Sequence, residues 1–186
     1  MKRAKRLVAI GFITLGCLCL SALALAGDPP PEDFPCTKMV CPDAFGIGFS
    51  PARSWPAGDY TFTILYGNQK DVCQATVPFD DPFGMVSCTG DAWLMKEATY
   101  TVTGCDGEVC WAEQVPLEPK YHGFSGLSVF GRYDNAFLRI ERDGAVLLER
   151  ELSFDYQPVY PNGQNCGIGC YQSNQILDVP IPIACP

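Results

Sequence analysis

Apolar and polar residues alternate with a period of two along several stretches of the chain. Tyr60, Phe62, Ile64 and Tyr66 are separated by Thr61 and Thr63, and Cys73, Ala75, Val77 and Phe79 by Gln74 and Thr76. Tyr100 and Val102 stand between Thr99, Thr101 and Thr103. Successive side chains of an extended strand point to opposite faces, so each run predicts a strand with one apolar and one polar face. The longest patterned piece runs from Ala136 to Tyr156. In it Leu138 and Ile140 alternate with Arg139 and Glu141, then Val146, Leu148, Leu152 and Phe154 with Glu149, Glu151, Ser153 and Asp155. Asp143-Gly144 between the halves predicts a hairpin, because glycine accepts the positive φ of a type I′ turn. Shorter strands are expected at 44–49, 85–89 and 125–131. A last strand is expected around Ile176 to Ile183. Pro180 and Pro182 have no N–H to give to a ladder, which confines that strand to a sheet edge.

Helical stripes with caps are missing; only Asp91 to Glu97 reads as a short helical turn. The segment Gly104 to Gly123 is long for a hairpin loop, as expected where the chain crosses between sheets. About eight or nine short strands with turn signals between them predict an all-β fold. The expected architecture is an antiparallel β-sandwich (Ig-like or Greek-key), with a barrel as the alternative. Residues 27–35, rich in proline, form an extended spacer. Residues 36–186 have even composition and the length of one ordinary domain.

The N-terminus changes the picture. Met1-Lys2-Arg3-Ala4-Lys5-Arg6 sets four positive charges ahead of an apolar run from Leu7 to about Leu20, and Ala24-Leu25-Ala26 supplies small residues before Gly27. This is the build of a secretory signal peptide, residues 1–26, whose basic end stays in the cytoplasm while the apolar part enters the membrane. An uncleaved anchor, or a lipid on Cys17 or Cys19, are the alternatives. Export implies a periplasmic or extracellular location. The formal net charge is −8, and removal of residues 1–26 leaves nine basic residues against all 21 acidic ones, a net −12. Such a surface repels phosphate backbones and anionic headgroups, so neither nucleic acid nor a membrane, beyond the export signal, is expected as partner.

Nine cysteines follow residue 26: Cys36, Cys41, Cys73, Cys88, Cys105, Cys110, Cys166, Cys170 and Cys185. In an oxidising compartment they read as bridges rather than metal ligands, and His122 is the sole histidine a zinc site would have to use. Nine thiols allow about 945 ways of pairing eight. The local choice is Cys73–Cys88, on consecutive strands, with Cys36–Cys41, Cys105–Cys110 and Cys166–Cys170. Cys185 is then left over, available for an intermolecular bridge. Cross-pairing among the N-terminal and C-terminal cysteines stays open.

The order Cys36-Thr37-Lys38-Met39-Val40-Cys41, Trp55-Pro56-Ala57-Gly58-Asp59-Tyr60-Thr61-Phe62, Cys73 and Cys88 is followed by Arg142-Asp143-Gly144, Phe154-Asp155-Tyr156 and Pro161-Asn162-Gly163-Gln164-Asn165-Cys166-Gly167-Ile168-Gly169-Cys170. Together these resemble a group of small, cysteine-rich exported bacterial β-sandwich proteins of uncharacterised function. The resemblance covers nearly the whole chain after residue 26. It implies an exported β-sandwich and supplies no catalytic residues.

Candidate chemistry is sparse. Gly123-Phe124-Ser125-Gly126-Leu127 beside His122 approaches a nucleophile elbow, but that motif needs glycine where Leu127 stands and an α/β context. Asp80-Asp81, Asp106/Glu108 and Glu149/Glu151 pair carboxylates in turns or on an outward strand face, without the D-x-D-x-D-G array of a calcium loop. No catalytic residue, metal or cofactor is expected. Residues 155–172 are the richest stretch for recognition: Tyr156, Tyr160 and Tyr171 beside Asn162 and Gln164, on a loop pinned by cysteines. Amphipathic rings next to amides suit a glycan or protein ligand. Trp55, Trp93 and Trp111 read as core or end plugs. The function expected is a non-catalytic exported structural or ligand-binding module, with a secreted hydrolase as the alternative.

Overall fold

The computed structural model describes residues 40–181, apart from Glu108, Gln164, Asn165, Gly167 and Ile168. All belong to the unit Cys36–Pro186. The expectations for the signal peptide, the spacer, Cys36, Gln164, Pro182 and Cys185 lie outside the described residues.

Twelve strands and one short 3-10 turn make up the described chain. In order they are β1 (Ala44–Ser50), β2 (Gly58–Tyr66), β3 (Gln69–Val77), β4 (Met85–Ser87), β5 (Ala92–Glu97), β6 (Thr99–Asp106), β7 (Val109–Pro116), β8 (Gly123–Phe130), β9 (Asn135–Arg142), β10 (Ala145–Ser153), β11 (Gln157–Val159) and β12 (Cys170–Asp178). One sheet has the order β11-β12-β1-β8-β5-β4, a second β10-β9-β2-β3, and β6 and β7 form a ribbon of their own. Every pairing is antiparallel except β1 with β12. The fold is a β-sandwich and not a closed barrel.

The period-two pattern builds the core directly. Phe45, Ile47 and Phe49 of β1 and Leu94 of β5 are buried on the inner face of the larger sheet. Tyr60, Phe62, Ile64 and Tyr66 of β2 and Leu138 and Ile140 of β9 are buried on the facing sheet. The two layers meet through Phe49–Phe62 and Phe62–Phe124, with ring centroids 5.7 and 4.8 Å apart. Each such side chain contributes about 1.5–3 kcal/mol relative to staying in water. In β8, Phe124 and Leu127 are three residues apart yet both buried. The register shift that pairs Met95 with Gly126 and Lys96 with Phe124 makes this possible, because it leaves Ser125 as the extra residue of a bulge. The Asp143-Gly144 turn has φ values of 52° and 78°, as a two-residue type I′ hairpin requires.

Four expectations are corrected. Asp91 to Glu97 is no helical turn: Ala92 to Glu97 forms β5, inside the larger sheet between β4 and β8. Ala92-Trp93-Leu94-Met95 is apolar throughout, which hides an alternation in which Ala92 and Leu94 point inward. Gly104 to Gly123 is no plain crossover, since Val109–Pro116 folds back on β6 from Thr99↔Pro116 to Asp106↔Val109. The last strand starts at Cys170 rather than near Ile176, and ends before Pro180. It lies between β11 and β1, although β11 covers only Cys170, Tyr171 and Gln172, so the rest of β12 is still an edge.

The disulfides form the fourth correction. Cys73–Cys88 and Cys105–Cys110 are present as expected, and a further bridge joins Cys41 to Cys170, with Cα atoms 5.4 Å apart. The local pairs Cys36–Cys41 and Cys166–Cys170 are thereby overturned; Cys166 is disulfide-bonded, but not to Cys170. Parallel pairing of β1 with β12, in the register Ala44↔Gln172, brings Cys41, just ahead of β1, beside Cys170, the first residue of β12. No local spacing announces that neighbourhood. Three disulfides among the described residues fit a non-cytoplasmic protein.

Candidate functional site

Chain reversal at Tyr66, Phe130 and Ser153 places three connections at the end of the sandwich where β1 and β12 begin. The tyrosines of the 155–172 stretch gather there. Tyr156 is half-buried: its hydroxyl accepts from the Tyr133 backbone N–H at 3.0 Å and donates to the Tyr133 carbonyl at 3.2 Å. Burial pushes its phenol above the ordinary tyrosine value, against the opposing pull of that backbone hydrogen bond and of Arg132.

Arg132, in the loop between β8 and β9, links two of the expected site residues. Its guanidinium lies 4.3 Å from the ring centroid of Tyr171 and 5.4 Å from that of Tyr156. A cation over an aromatic face is attracted by the ring quadrupole, by about 0.5–1 kcal/mol when exposed. Tyr171 is fixed from its backbone side as well, because its N–H donates to Asp43 Oδ1 at 2.8 Å while the Asp43 carbonyl accepts from Gly131 N–H at 2.7 Å.

Tyr160 follows β11, where Pro158 pairs with Tyr171 and Val159 with Cys170. Its ring lies against Gly169. A Cβ there would meet Val159 O at 2.5 Å and Tyr160 Cδ1 at 2.8 Å, so only glycine admits this approach. Asn162 sits in the turn closed by Gly163 N–H to Tyr160 O at 2.9 Å. The structure therefore brings Tyr156, Tyr160, Asn162 and Tyr171 to one end of the molecule. Tyr160 and Tyr171 keep 40% and 41% of their surface exposed. Cys41–Cys170 ties β12, the strand that carries Tyr171, to the chain entering β1.

Arg132 and Asp43 escape sequence reasoning. Gly131-Arg132-Tyr133-Asp134 reads as a turn, and Pro42-Asp43 as the approach to a strand. Only the fold shows that both serve the tyrosines.

The other candidates disperse. His122 is buried, with Nδ1 accepting from Phe79 N–H at 3.1 Å and Nε2 against Leu117 O at 3.2 Å, and its ring stacks on Phe79. Backbone groups thus occupy both of its nitrogens, while Ser125 Oγ turns to Met95 O. Asp81 accepts from Phe83 N–H as a local turn, and Glu149 bonds Arg139 at 2.8 Å on the outer face of β10. Trp55 is core, whereas Trp93 and Trp111 are exposed. A buried acid missed in the sequence, Asp71, accepts from Tyr66 Oη at 2.7 Å and from Ala92 N–H at 2.8 Å, a structural tie across the sandwich. Among the described residues no cluster of three or more His, Cys, Asp or Glu is placed to hold a metal, and no helix is long and apolar enough to cross a membrane. No family model, no curated protein and no solved structure matches the chain.

Proposed function

We propose that this chain is a non-catalytic exported module, periplasmic or extracellular, that binds a glycan or protein ligand at the sandwich end carrying Tyr156, Tyr160 and Tyr171. One observation carries the reading. Two half-exposed tyrosine rings flank the short β11–β12 ladder, Tyr171 within it and Tyr160 just past its end, beside the Cys41–Cys170 bridge and with Arg132 bracing Tyr171. Rings held this way offer a flat apolar face with a hydroxyl at its edge and lose little freedom on binding, which suits stacking against a sugar ring first and a protein loop second. The basic, then apolar, then small-residue N-terminus supports export.

The test compares the wild type with Tyr160→Ala and Tyr171→Ala on immobilised glycans and by cross-linking to envelope proteins. Each variant should melt as the wild type does and lose about tenfold or more in affinity. A wild type that retains neither class of ligand, or variants that bind as the wild type does, would remove the assignment.

A further inference from the structure

The opposite end of the sandwich, where β1 and β12 finish, holds a groove of about 800 Å³. That volume lies within the usual range for small-molecule sites, about 300–1,000 Å³. Its apolar wall is built from Trp55, Pro56, Val77, Pro78, Val179 and Ile181. Trp55 is held in place on three sides: its indole N–H donates to Pro51 O at 2.9 Å, its backbone N–H donates to His122 O at 3.0 Å, and its ring packs edge-on to Phe124. The wall is therefore pre-formed rather than assembled by the occupant.

Charge gives the groove its direction. In a protein of net charge −8, the charged residues that line it among the described residues are Arg53 and Lys120, both cations. Their carboxylate partners, Glu97 and Glu118, do not line the groove. Arg53 gives Nε and Nη2 to Glu97 Oε1, and Lys120 gives Nζ to Glu118 Oε2. A guanidinium has five N–H groups and an ammonium three, so each cation keeps donors for a second anion.

We propose that this groove binds a free amphipathic anion, a single hydrocarbon chain with a carboxylate head, the chain lying on Trp55 and the prolines and the head between Arg53 and Lys120. The site is separate from the tyrosine end and does not depend on its ligand.

Dodecanoate, titrated calorimetrically into the full chain below its micellar concentration, serves as probe, with dodecanol and dodecyltrimethylammonium as neutral and cationic counterparts. The wild type should prefer dodecanoate over both. Arg53→Gln combined with Lys120→Gln should weaken dodecanoate by about tenfold or more and leave dodecanol unchanged. Ala57→Phe, which fills the groove from an exposed lining position, should block dodecanoate and dodecanol alike while the melting temperature holds. Three results would each overturn the proposal. They are no dodecanoate uptake, equal affinity for the anion and the alcohol, or a dimer that forms without probe and dissociates in Ala57→Phe, which would assign the groove to a second copy of the chain.

Discussion

Single residues at the heart of the sandwich make stability sensitive to alkali. Burial raises the Tyr60 phenol to about 12, the nearby Arg142 opposing the shift and Asp143 adding to it, while its hydroxyl donates to Pro56 O. Tyr66 is raised too, by burial first and then by its hydrogen bond to Asp71. A phenol whose folded-state pKa exceeds the unfolded one adds stability that is complete below pH 10 and is lost as the pH climbs through the folded value. For Tyr60 that amounts to about 3 kcal/mol, lost between about pH 10 and 12. Urea unfolding from about pH 9 upward should show the decline, and Tyr60→Phe should flatten it while Tyr66 continues to titrate. An equally steep decline in Tyr60→Phe would exclude this residue as a source. Asp71 illustrates what pattern reading leaves out at this scale: it occupies an inward position of β3, the phase of Cys73 and Val77. An acid there looks like a break in the strand until Tyr66 and Ala92 are seen to satisfy it.

Among the elements, the β6–β7 ribbon behaves differently from the rest. Its strands pair only with each other, most of its residues are exposed and none is fully buried. Tyr100, Val102, Trp111 and Val109 share one face and the threonines the other. Two strands without a core beneath them are marginal in water, so Cys105–Cys110 at the tip carries weight that packing carries elsewhere. Cys105→Ser with Cys110→Ser should therefore speed amide exchange across residues 99–116 and leave β2 and β9 protected. Exchange that rises equally in the core strands would show that the ribbon is not an independent unit. Legibility divides along the same lines. Strands that alternate, β2, β3, β9 and β10, could be read from the chain with their turn, since a half-buried sheet imposes that pattern. β5 could not, because both of its faces carry apolar residues. β7 could not either, because an exposed ribbon leaves no single buried phase to detect. The tyrosines were legible as residue types, whereas their brace, Arg132, comes from a loop that only tertiary pairing brings near.

Across the whole molecule, Cys41–Cys170 reaches much further than Cys73–Cys88 or Cys105–Cys110, its partners being separated by 129 residues. In the chain-entropy view, closing so long a loop removes more freedom from the unfolded chain than either local bridge, about 5 kcal/mol at 25 °C. Cys41→Ser with Cys170→Ser should lower unfolding free energy by an amount of that order and loosen Tyr171. A loss under about 1 kcal/mol would mean that the β1–β12 ladder holds this junction unaided. The same separation explains why pairing by nearest neighbour held for Cys73–Cys88 and Cys105–Cys110 but not for Cys41 and Cys170: spacing along the chain is a guide only where the ends of a loop meet locally.

The parallel pairing of β1 with β12 also sets an order of events in the cell. The larger layer waits for Cys170–Asp178 before its first strand gains that neighbour. A nascent chain emerging from a ribosome or a translocon can assemble the smaller layer from segments already at hand, since β2, β3, β9 and β10 all precede that point. It then carries a half-built sheet, with one flank of β1 bare, until nearly all of the described sequence has been made. Assembly that depends on so distant a contact is slow and exposes sticky surface meanwhile, which favours holding the polypeptide unfolded until β12 has been made.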